Sequence, residues 1–540
     1  MFEWTESISP AQLVAWSVGF VVGLAAAWRS GRESGWMLRL AFATVFGVAS
    51  GGILTAFLTV VGLALDDWSA CRLAPIVSLF YGYPLYATMD SVANGFAYGP
   101  VGAMMYLPAA AVAFLASSPT AGVLAGQITA FLFVLIPFLM VSRAYGVGLD
   151  RRITLVLCAV FGVLLLATPP MRYVAFSIHV DAPALFFAAL AAWFGAKSAS
   201  GRCWDAALSG VFVGAAVLSK QTMIPVGGVC LLLLLSAGWR AILWSAGGFL
   251  VVIAVTVGAL LMTGAWEGWV QMYLGFFTGL PRAMTLWEST RLYSPWVGLL
   301  IVVSICFFTA LGWNWGGRSK TVAALLHDVP TRLFAAFLAY ALGYGLLGIY
   351  TGAAALADSN HYAPGLYFGF LALCVYSLAL RGTRQLEGRG VIAMIAALMI
   401  ATPTLVPVIQ RFPGWYLYQN NFLEQAYQYS LEAPSTMWFP WQPLSVLLGE
   451  GRMYHLGEQI YYEDVCGLPP RSIEQCLRFL PPEAQGIAIR PFGAPASVLP
   501  MTFPNATPGE GDPRLPDWVI YRFPDGTIRS NLTELPAARY

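Results

Sequence analysis

Long apolar segments, separated by short polar ones, occupy most of the first 410 residues of the chain. A helix needs about 20 apolar residues to cross the hydrocarbon core of a bilayer, and by that criterion the pattern predicts about 12 membrane spans. They lie near residues 11–28, 38–65, 119–141, 153–169, 183–197, 205–219, 222–239, 241–263, 294–314, 331–350, 364–381 and 390–409. The pattern therefore indicates a polytopic α-helical membrane protein.

The apolar segment 99–118 is not counted among these spans. Pro108 lies near its middle, and a proline breaks the interior of a helix. Counting the segment as a span would also reverse the side of every later loop. We expect it to be a juxtamembrane or re-entrant piece, so that residues 66–118 form one long outer loop. Long loops inside compact membrane proteins are usually functional.

The pattern changes after Arg411. Residues 411–540 are rich in proline, aromatic and charged residues, and they contain no segment long enough to span. The stretches IAIRPFG and DWVIYRFPDGTIRS alternate and turn in the manner of short strands. We expect a membrane domain over residues 1–410 and a separate soluble α/β domain over residues 411–540.

Composition and charge agree with this division. Hydrophobic residues make up 58% of the chain and charged residues only 10%, against about 25% charged in soluble domains. The net charge of +2 is too small to indicate a nucleic-acid partner. Most loop lysines and arginines fall on one side of the membrane if the N-terminus lies outside, and such residues favour the cytoplasmic side. The C-terminal domain then lies outside as well, where Cys466 and Cys476 could form a disulfide.

Polar and aromatic side chains of chemical interest accumulate at the outer ends of the predicted spans. The set consists of Asp66, Asp67, Arg72, Tyr98, Arg172, His179, Asp181, Lys220, Asn360 and His361. Polar groups at membrane depth are costly and are usually functional. Carboxylates can deprotonate a hydroxyl, and cations can hold a phosphate through charge-assisted hydrogen bonds.

Each of these residues also has a simpler interpretation. Asp66 and Asp67 could be solvated residues at the end of a span. Asp181 could cap the helix that follows it, since aspartate is preferred at that position. Lys220 could extend along the membrane interface to keep its ammonium in water, and each histidine could be purely structural.

Four elements of the sequence resemble the GT-C superfamily of membrane glycosyltransferases, in particular the branch with the protein O-mannosyltransferases and the lipid A aminoarabinose transferases. They are the acidic pair Asp66–Asp67, YGP at residues 98–100, HVDAP around Asp181, and LSKQT around Lys220. The element NHYAP at residues 360–364 is similar to a late outer-loop motif of such enzymes. Two departures are that the acidic pair follows the second predicted span, not the first, and that YGP replaces a more usual Tyr-Pro-Pro.

The resemblance implies transfer of a sugar from a polyprenyl-phosphate donor to a lipid, glycan or protein acceptor on the outer face, with inversion. It implies Asp67 or Asp66 as the base and Asp181 as an assisting catalytic group. Lys220, with Arg72 or Arg172, would bind the donor phosphate. Tyr98, His179, Asn360 and His361 would contact substrate.

The resemblance further implies a multi-pass protein of the bacterial inner membrane, with its active site and C-terminal domain on the periplasmic face. Some members of the superfamily use a divalent metal. The sequence shows no strong ligand cluster, so neither a metal nor another cofactor is expected. Two other functions stay open: a transporter or flippase of a lipid-linked sugar, and a non-catalytic structural subunit of a membrane complex.

Overall fold

A computed structural model describes most of the membrane-embedded middle of the chain and parts of its C-terminal third. The described residues are 67–88, 98–145, 168–279, 282–294, 328–354, 359–376, 378, 421–457, 479–489, 507–516 and 518–523. Several of the sequence predictions fall outside these ranges. They concern Asp66, both cysteines of the predicted disulfide, and five predicted spans, at 11–28, 38–65, most of 153–169, most of 294–314, and 390–409.

The described chain is mainly helical. Its helices are α1 (Asp67–Val77), α2 (Pro100–Met104), α3 (Leu107–Ala116), α4 (Pro119–Tyr145), α5 (Pro169–Phe176), α6 (Asp181–Lys197), α7 (Cys203–Val217), α8 (Pro225–Leu235), α9 (Trp239–Met262), α10 (Trp266–Gly279), α11 (286–294), α12 (Val329–Gly352), α13 (Ala363–Val375), α14 (Phe422–Glu432) and α15 (Pro443–Glu450). Its strands are β1 (Gly486–Ile489), β2 (Thr507–Pro508) and β3 (Val519–Arg522).

Among the described residues, four helices are long and apolar enough to cross a membrane. They are α4, α9, α12 and the helical stretch Asp181–Ser200 that contains α6. They coincide with the spans predicted at 119–141, 241–263, 331–350 and 183–197. Several spans in one chain confirm the prediction of a multi-pass membrane protein, whereas the full count of about 12 extends over residues outside the described ranges.

Two predicted spans are shorter in the structure than the sequence suggested. The span predicted at 205–219 is the 15-residue helix α7, and the span predicted at 222–239 is the 11-residue helix α8. The second prediction is wrong at both ends. A 3-10 turn over Gln221–Met223 precedes α8, and Gly238, with φ +94°, separates it from α9. Positive φ strongly favours glycine, so apolar pattern alone does not show where one helix stops and the next begins.

The segment 99–118 forms two short helices, α2 and α3, and neither is long enough to span. Pro108 lies in the first turn of α3, where proline is tolerated, so it marks the start of a helix and not a break inside one. The expectation that this segment does not span the membrane agrees with the described structure, although the position of the break differs.

Glycines allow α7 and α9 to approach each other closely. A Cβ at Gly210 would lie 1.8 Å from the carbonyl oxygen of Ser245, and a Cβ at Gly248 would lie 2.2 Å from that of Ala207. Small residues at such crossings let helix backbones pack where apolar burial gives no advantage over lipid. This contact fixes α7, whose C-terminal end leads to Lys220.

A buried arginine ties together the helix ends at the opposite side of this bundle. Arg332, in the first turn of α12, donates to Ser236 Oγ at 2.5 Å and to the carbonyl oxygens of Gly195 at 3.1 Å and Leu233 at 2.6 Å. The two carbonyls belong to the last turns of α6 and α8, where a cation complements the helix dipole. Arg332 therefore holds the last turns of α6 and α8 at the end of the bundle opposite Asp181.

The described part of the C-terminal region packs on the membrane part. Strand predictions there are confirmed for Gly486–Ile489 and Val519–Arg522, which pair antiparallel in a sheet of order β1-β3-β2. The rings of Trp441 and Trp68 meet edge to face with centroids 5.5 Å apart, and Cys71 Sγ donates to the carbonyl oxygen of Trp441. Buried apolar residues of both parts belong to one continuous core.

Two adjacent glycines of α9 allow the close contact between α7 and α9 to be tested with a matched control. Gly248→Ala should lower the free energy of unfolding by about 1–3 kcal/mol, because the added methyl group meets backbone that cannot move aside cheaply. Gly247→Ala is the control, since a Cβ there meets nothing within 4 Å. Thermal unfolding in detergent measures both. Equal midpoints for the two variants would contradict the close crossing.

Candidate active site

Asp181 is the fully buried centre of a polar cluster at the N-terminal end of α6. It is the first residue of the helix, one position after the N-cap residue, Val180. Asp181 is therefore not the N-cap of α6, although its charge lies in the first turn, where it complements the helix dipole. Its carboxylate instead contacts three side chains, those of Lys220, His179 and Asn360.

Lys220 forms a buried ion pair with this carboxylate. Its Nζ lies 2.6 Å from Asp181 Oδ1, and the residue is 4% exposed. An ammonium so enclosed does not extend into the interface, so the alternative of an interfacial lysine is also wrong. Lys220 follows α7 in extended backbone and precedes the 3-10 turn Gln221–Met223, so the end of α7 directs it toward α6.

The YGP element lies directly against the turn that carries Lys220. The Gly99 N–H donates to the carbonyl oxygen of Ser219, and the Val101 N–H donates to that of Leu218. A Cβ at Gly99 would lie 1.8 Å from the Leu218 oxygen, so only glycine permits this approach. The approach places the Tyr98 ring beside the Lys220 ammonium, with 6.0 Å between Nζ and the ring centroid.

His179 links Tyr98 to Asp181. Its Nδ1 lies 2.6 Å from Asp181 Oδ2, and its Nε2 lies 3.1 Å from the Tyr98 hydroxyl. A carboxylate only accepts, so the short contact places the proton on Nδ1, in preference to the longer 3.2 Å approach of the Asp181 backbone N–H. Nε2 then accepts from Tyr98. Tyr106, through its hydroxyl, donates to the His179 carbonyl oxygen at 2.7 Å and holds the backbone.

Asn360 completes the cluster from the 3-10 turn Ser359–Tyr362, which precedes α13. It is 4% exposed, and its Nδ2 donates to Asp181 Oδ2 at 2.7 Å. The turn is held by Tyr362, whose ring stacks on Tyr293 and whose hydroxyl lies 2.9 Å from Ser289 Oγ. The late motif NHYAP thus reaches the same carboxylate as HVDAP and LSKQT.

Arg72 lies beside the cluster on α1. Its Nη1 donates to the Tyr173 hydroxyl at 2.8 Å, and its guanidinium packs over the rings of Trp68 and Tyr173. A small cavity separates it from the histidine. Residues lining this cavity are Arg72, Ile76, Tyr98, Tyr106, Ile178, His179 and Val180.

The structure brings most of the predicted site residues together. Asp181, Lys220, His179, Asn360 and Tyr98 are joined by direct contacts, and Arg72 shares a cavity with His179 and Tyr98.

The remaining four predicted residues are His361, Arg172, Asp66 and Asp67. His361 is partly exposed and close enough to Lys220, Asp181 and His179 for their charges to influence its pKa. Arg172 is buried on α5 but does not line the cavity. Asp66 and the side chain of Asp67 lie outside the described residues, so their roles stay predictions.

Sequence reasoning missed four aromatic residues of the site. Tyr106 and Tyr173 orient His179 and Arg72, while Trp68 and Trp441 support α1. Tyr173 and Trp68 are sequence neighbours of predicted residues, so adjacency was the available signal. The contact of Trp441 with Trp68 could not be predicted, because the two residues lie hundreds of positions apart in the sequence.

Burial sets the protonation of the two histidines. Desolvation lowers the pKa of His179 to about 4, with the positive charges of Arg72 and Lys220 acting in the same direction and Asp181 opposing them. Desolvation likewise lowers the pKa of His361 to about 3. Both imidazoles are therefore neutral near pH 7, which suits the acceptor role of His179 Nε2.

The sequence of residues 147–266 matches the family model for dolichyl-phosphate-mannose-protein mannosyltransferase. The matched segment contains His179, Asp181 and Lys220. The match confirms the resemblance to the GT-C membrane glycosyltransferases that the motifs predicted. No curated protein sequence matches the chain.

Two crystal structures of ArnT from Cupriavidus metallidurans are similar to this chain. The apo structure has 14% sequence identity and a TM-score of 0.46, over 89% of this chain and 98% of that one. The structure bound to undecaprenyl phosphate has 12% identity and a TM-score of 0.42, over 89% and 97%.

The lowered pKa of His179 predicts how stability depends on pH. Between about pH 6.5 and 4 the unfolded chain binds a proton at His179 that the folded chain excludes. This contribution to stability is therefore complete above pH 6.5 and is lost as the pH falls toward 4, by up to about 1.4 kcal/mol per pH unit. His179→Gln should make this part of the profile less steep and leave the contribution of His361, measured as the midpoint of thermal unfolding in detergent. Parallel profiles for variant and wild type would contradict the assignment.

Proposed function

We propose that this chain is an integral-membrane glycosyltransferase that moves a sugar from a polyprenyl-phosphate donor to an acceptor, with inversion. The observation that carries the proposal is the buried cluster of Asp181, Lys220, His179 and Asn360 beside Arg72. The description of the family that matches residues 147–266 names a sugar carried on dolichyl phosphate, which is itself a polyprenyl-type phosphate. The acceptor is a lipid, a glycan or a protein.

The leaving phosphate is stabilised by Lys220 and Arg72. The Lys220 ammonium carries three N–H donors, and within the described residues one of them is bonded, to Asp181. The remaining two are available to phosphate oxygens or other ligand atoms. Preorganised donors directed at developing charge are often the largest contribution to catalysis, and a charged donor strengthens each bond.

In this scheme Asp181 positions neighbouring side chains and does not itself take part in proton transfer. Its oxygens accept from Lys220 and Asn360 and contact His179, so the carboxylate is already fully engaged. A carboxylate neutralised by a buried lysine is a weak base. Asp181 therefore holds the lysine and the histidine in place, and another group removes the proton from the acceptor.

That base is Asp67 or Asp66. Helix α1 begins at Asp67, and Arg72 lies on the same helix. Either carboxylate would deprotonate the acceptor hydroxyl or amine while the phosphate departs on the side of Arg72 and Lys220. Attack opposite to the leaving group inverts the anomeric carbon. No metal ion or other cofactor is included in the proposal.

The proposed setting is the outer face of a bacterial inner membrane. The sequence prediction places the ends of the spans that carry Asp181, Lys220 and Asn360 outside, together with residues 411–540. Trp441 of that region packs on Trp68, next to Arg72. The C-terminal region is thus close enough to take part in acceptor choice.

Lys220→Met should lower kcat/KM for sugar transfer about 100-fold to 1000-fold, because a donor to the leaving phosphate is removed. The assay uses purified protein and undecaprenyl phosphate carrying a labelled sugar, with product analysed by mass spectrometry. Lys197→Met, at the far end of α6, is the control and should retain activity. Lys220→Arg keeps the buried ion pair and should retain both folding and partial activity.

Thermal unfolding must accompany this assay, since breaking a buried pair costs about 3–5 kcal/mol. A folded Lys220→Met variant with wild-type turnover would contradict the proposal. Passage of labelled lipid across vesicles without any transfer product would favour the transporter instead.

Asp66→Asn and Asp67→Asn remove one carboxylate charge each while keeping its size. At least one of them should lower turnover about 100-fold or more, because general-base catalysis is lost. Asp205→Asn, in the first turn of α7 and therefore at the opposite end of the bundle, is the matched control. If both variants fold and turn over like wild type, neither aspartate is the base.

A further inference from the structure

One buried hydrogen-bond acceptor in the cluster has no partner among the residues that the structure describes. The side-chain oxygen of Asn360 is enclosed, and within the described part of the chain it accepts no hydrogen bond. More than nine in ten buried polar groups in proteins are satisfied, so each exception calls for an explanation. A ligand that supplies the missing donor is one such explanation.

The orientation of the Asn360 amide is fixed by its neighbour. Asp181 Oδ2 is a carboxylate oxygen and only accepts, so the atom that lies 2.7 Å away must be the amide nitrogen. Turning the amide over would set two acceptors against each other. The unpartnered atom is therefore the carbonyl oxygen, Oδ1.

The chemistry around this oxygen selects the kind of ligand atom. The missing partner must donate, which excludes an ionised phosphate because its oxygens only accept. Lys220, on the other oxygen of the same carboxylate, offers N–H donors that need an acceptor. A ligand ammonium would satisfy Asn360 but would be repelled by Lys220. A hydroxyl both donates and accepts, and so fits both residues.

We infer that Asn360 Oδ1 and Lys220 Nζ together bind one hydroxyl group of the transferred sugar. This inference rests on the proposed function and deepens it. Lys220 then uses its three donors for Asp181, the sugar hydroxyl and the phosphate. Asn360 determines specificity for the sugar, and Arg72 lies on the phosphate side.

The turn that carries Asn360 is suited to this role. Tyr362 fixes it through the stack on Tyr293 and the contact with Ser289, so Asn360 is held before ligand arrives. Its neighbour His361 is partly exposed, which shows that the turn reaches the surface of the described structure. A site held by its own packing loses little entropy when it binds.

The test compares lipids that differ only in the sugar. The probes are undecaprenyl phosphate alone, the same lipid carrying mannose, glucose, galactose or arabinose, and singly deoxygenated forms of the sugar lipid that binds most tightly. In wild type we expect one deoxygenation to weaken binding tenfold to a hundredfold. Asn360→Leu should weaken binding of the intact sugar lipid to the same degree. In this variant, the same deoxygenation should cause no further loss of affinity. The variant's affinity for undecaprenyl phosphate alone should fall less than its affinity for the sugar lipid.

Ser430→Ala is the matched control, because the Ser430 hydroxyl is another enclosed group without a partner in the described residues but lies on α14, away from the cluster. It should leave every affinity at the wild-type value.

Three results would overturn the inference. The sugar lipids could bind wild type no better than undecaprenyl phosphate does, or no deoxygenation could weaken binding to wild type. The third result is a deoxygenation that weakens binding to Asn360→Leu as much as it weakens binding to wild type. The wild-type measurements decide the matter even if Asn360→Leu does not fold. Failure of the proposed function looks different, since wild type would then bind none of these lipids.

Discussion

The buried carboxylate of Asp181 is the constraint on which the rest of the site depends. An ionised carboxylate removed from water is very costly unless an opposite charge and hydrogen bonds surround it. Lys220, His179 and Asn360 meet this requirement from three different segments of the chain. Loss of any one partner leaves a charge or a polar atom unsatisfied, so the carboxylate fixes how the end of α7, the start of α6 and the turn before α13 meet.

Close backbone approaches make this convergence possible. Gly99 lets the YGP segment lie on the turn before Lys220, and Gly210 and Gly248 let α7 pack against α9. At the other end of the bundle Arg332 joins the last turns of α6 and α8. Helix α6 is therefore held at its start by the contacts of Asp181 and at its last turn by Arg332, which suits a site that must act without rearranging its charges.

The candidate residues could be predicted from the chain because polar groups at the ends of apolar segments are rare and costly. Residue type and position were enough to select Asp181, Lys220, His179 and Asn360. The roles of those residues were harder to predict. Asp181 could equally have been a helix cap, and Lys220 an interfacial lysine, until the structure placed Val180 at the cap position and showed Lys220 buried against Asp181. The boundary between α8 and α9 was predicted a few residues too late, because a single glycine turn does not interrupt an apolar pattern.

The sequence by itself determined the membrane class, the positions of the longest spans and the short set of polar residues worth attention, since these follow from local composition and period. Only the tertiary structure decided which of those residues touch, that Asn360 retains an unpartnered oxygen, and that Trp441 supports Trp68 beside Arg72. The physical reason is that hydropathy is a property of neighbouring residues along the chain. A hydrogen bond between residues 181 and 360 depends instead on how every helix between them packs.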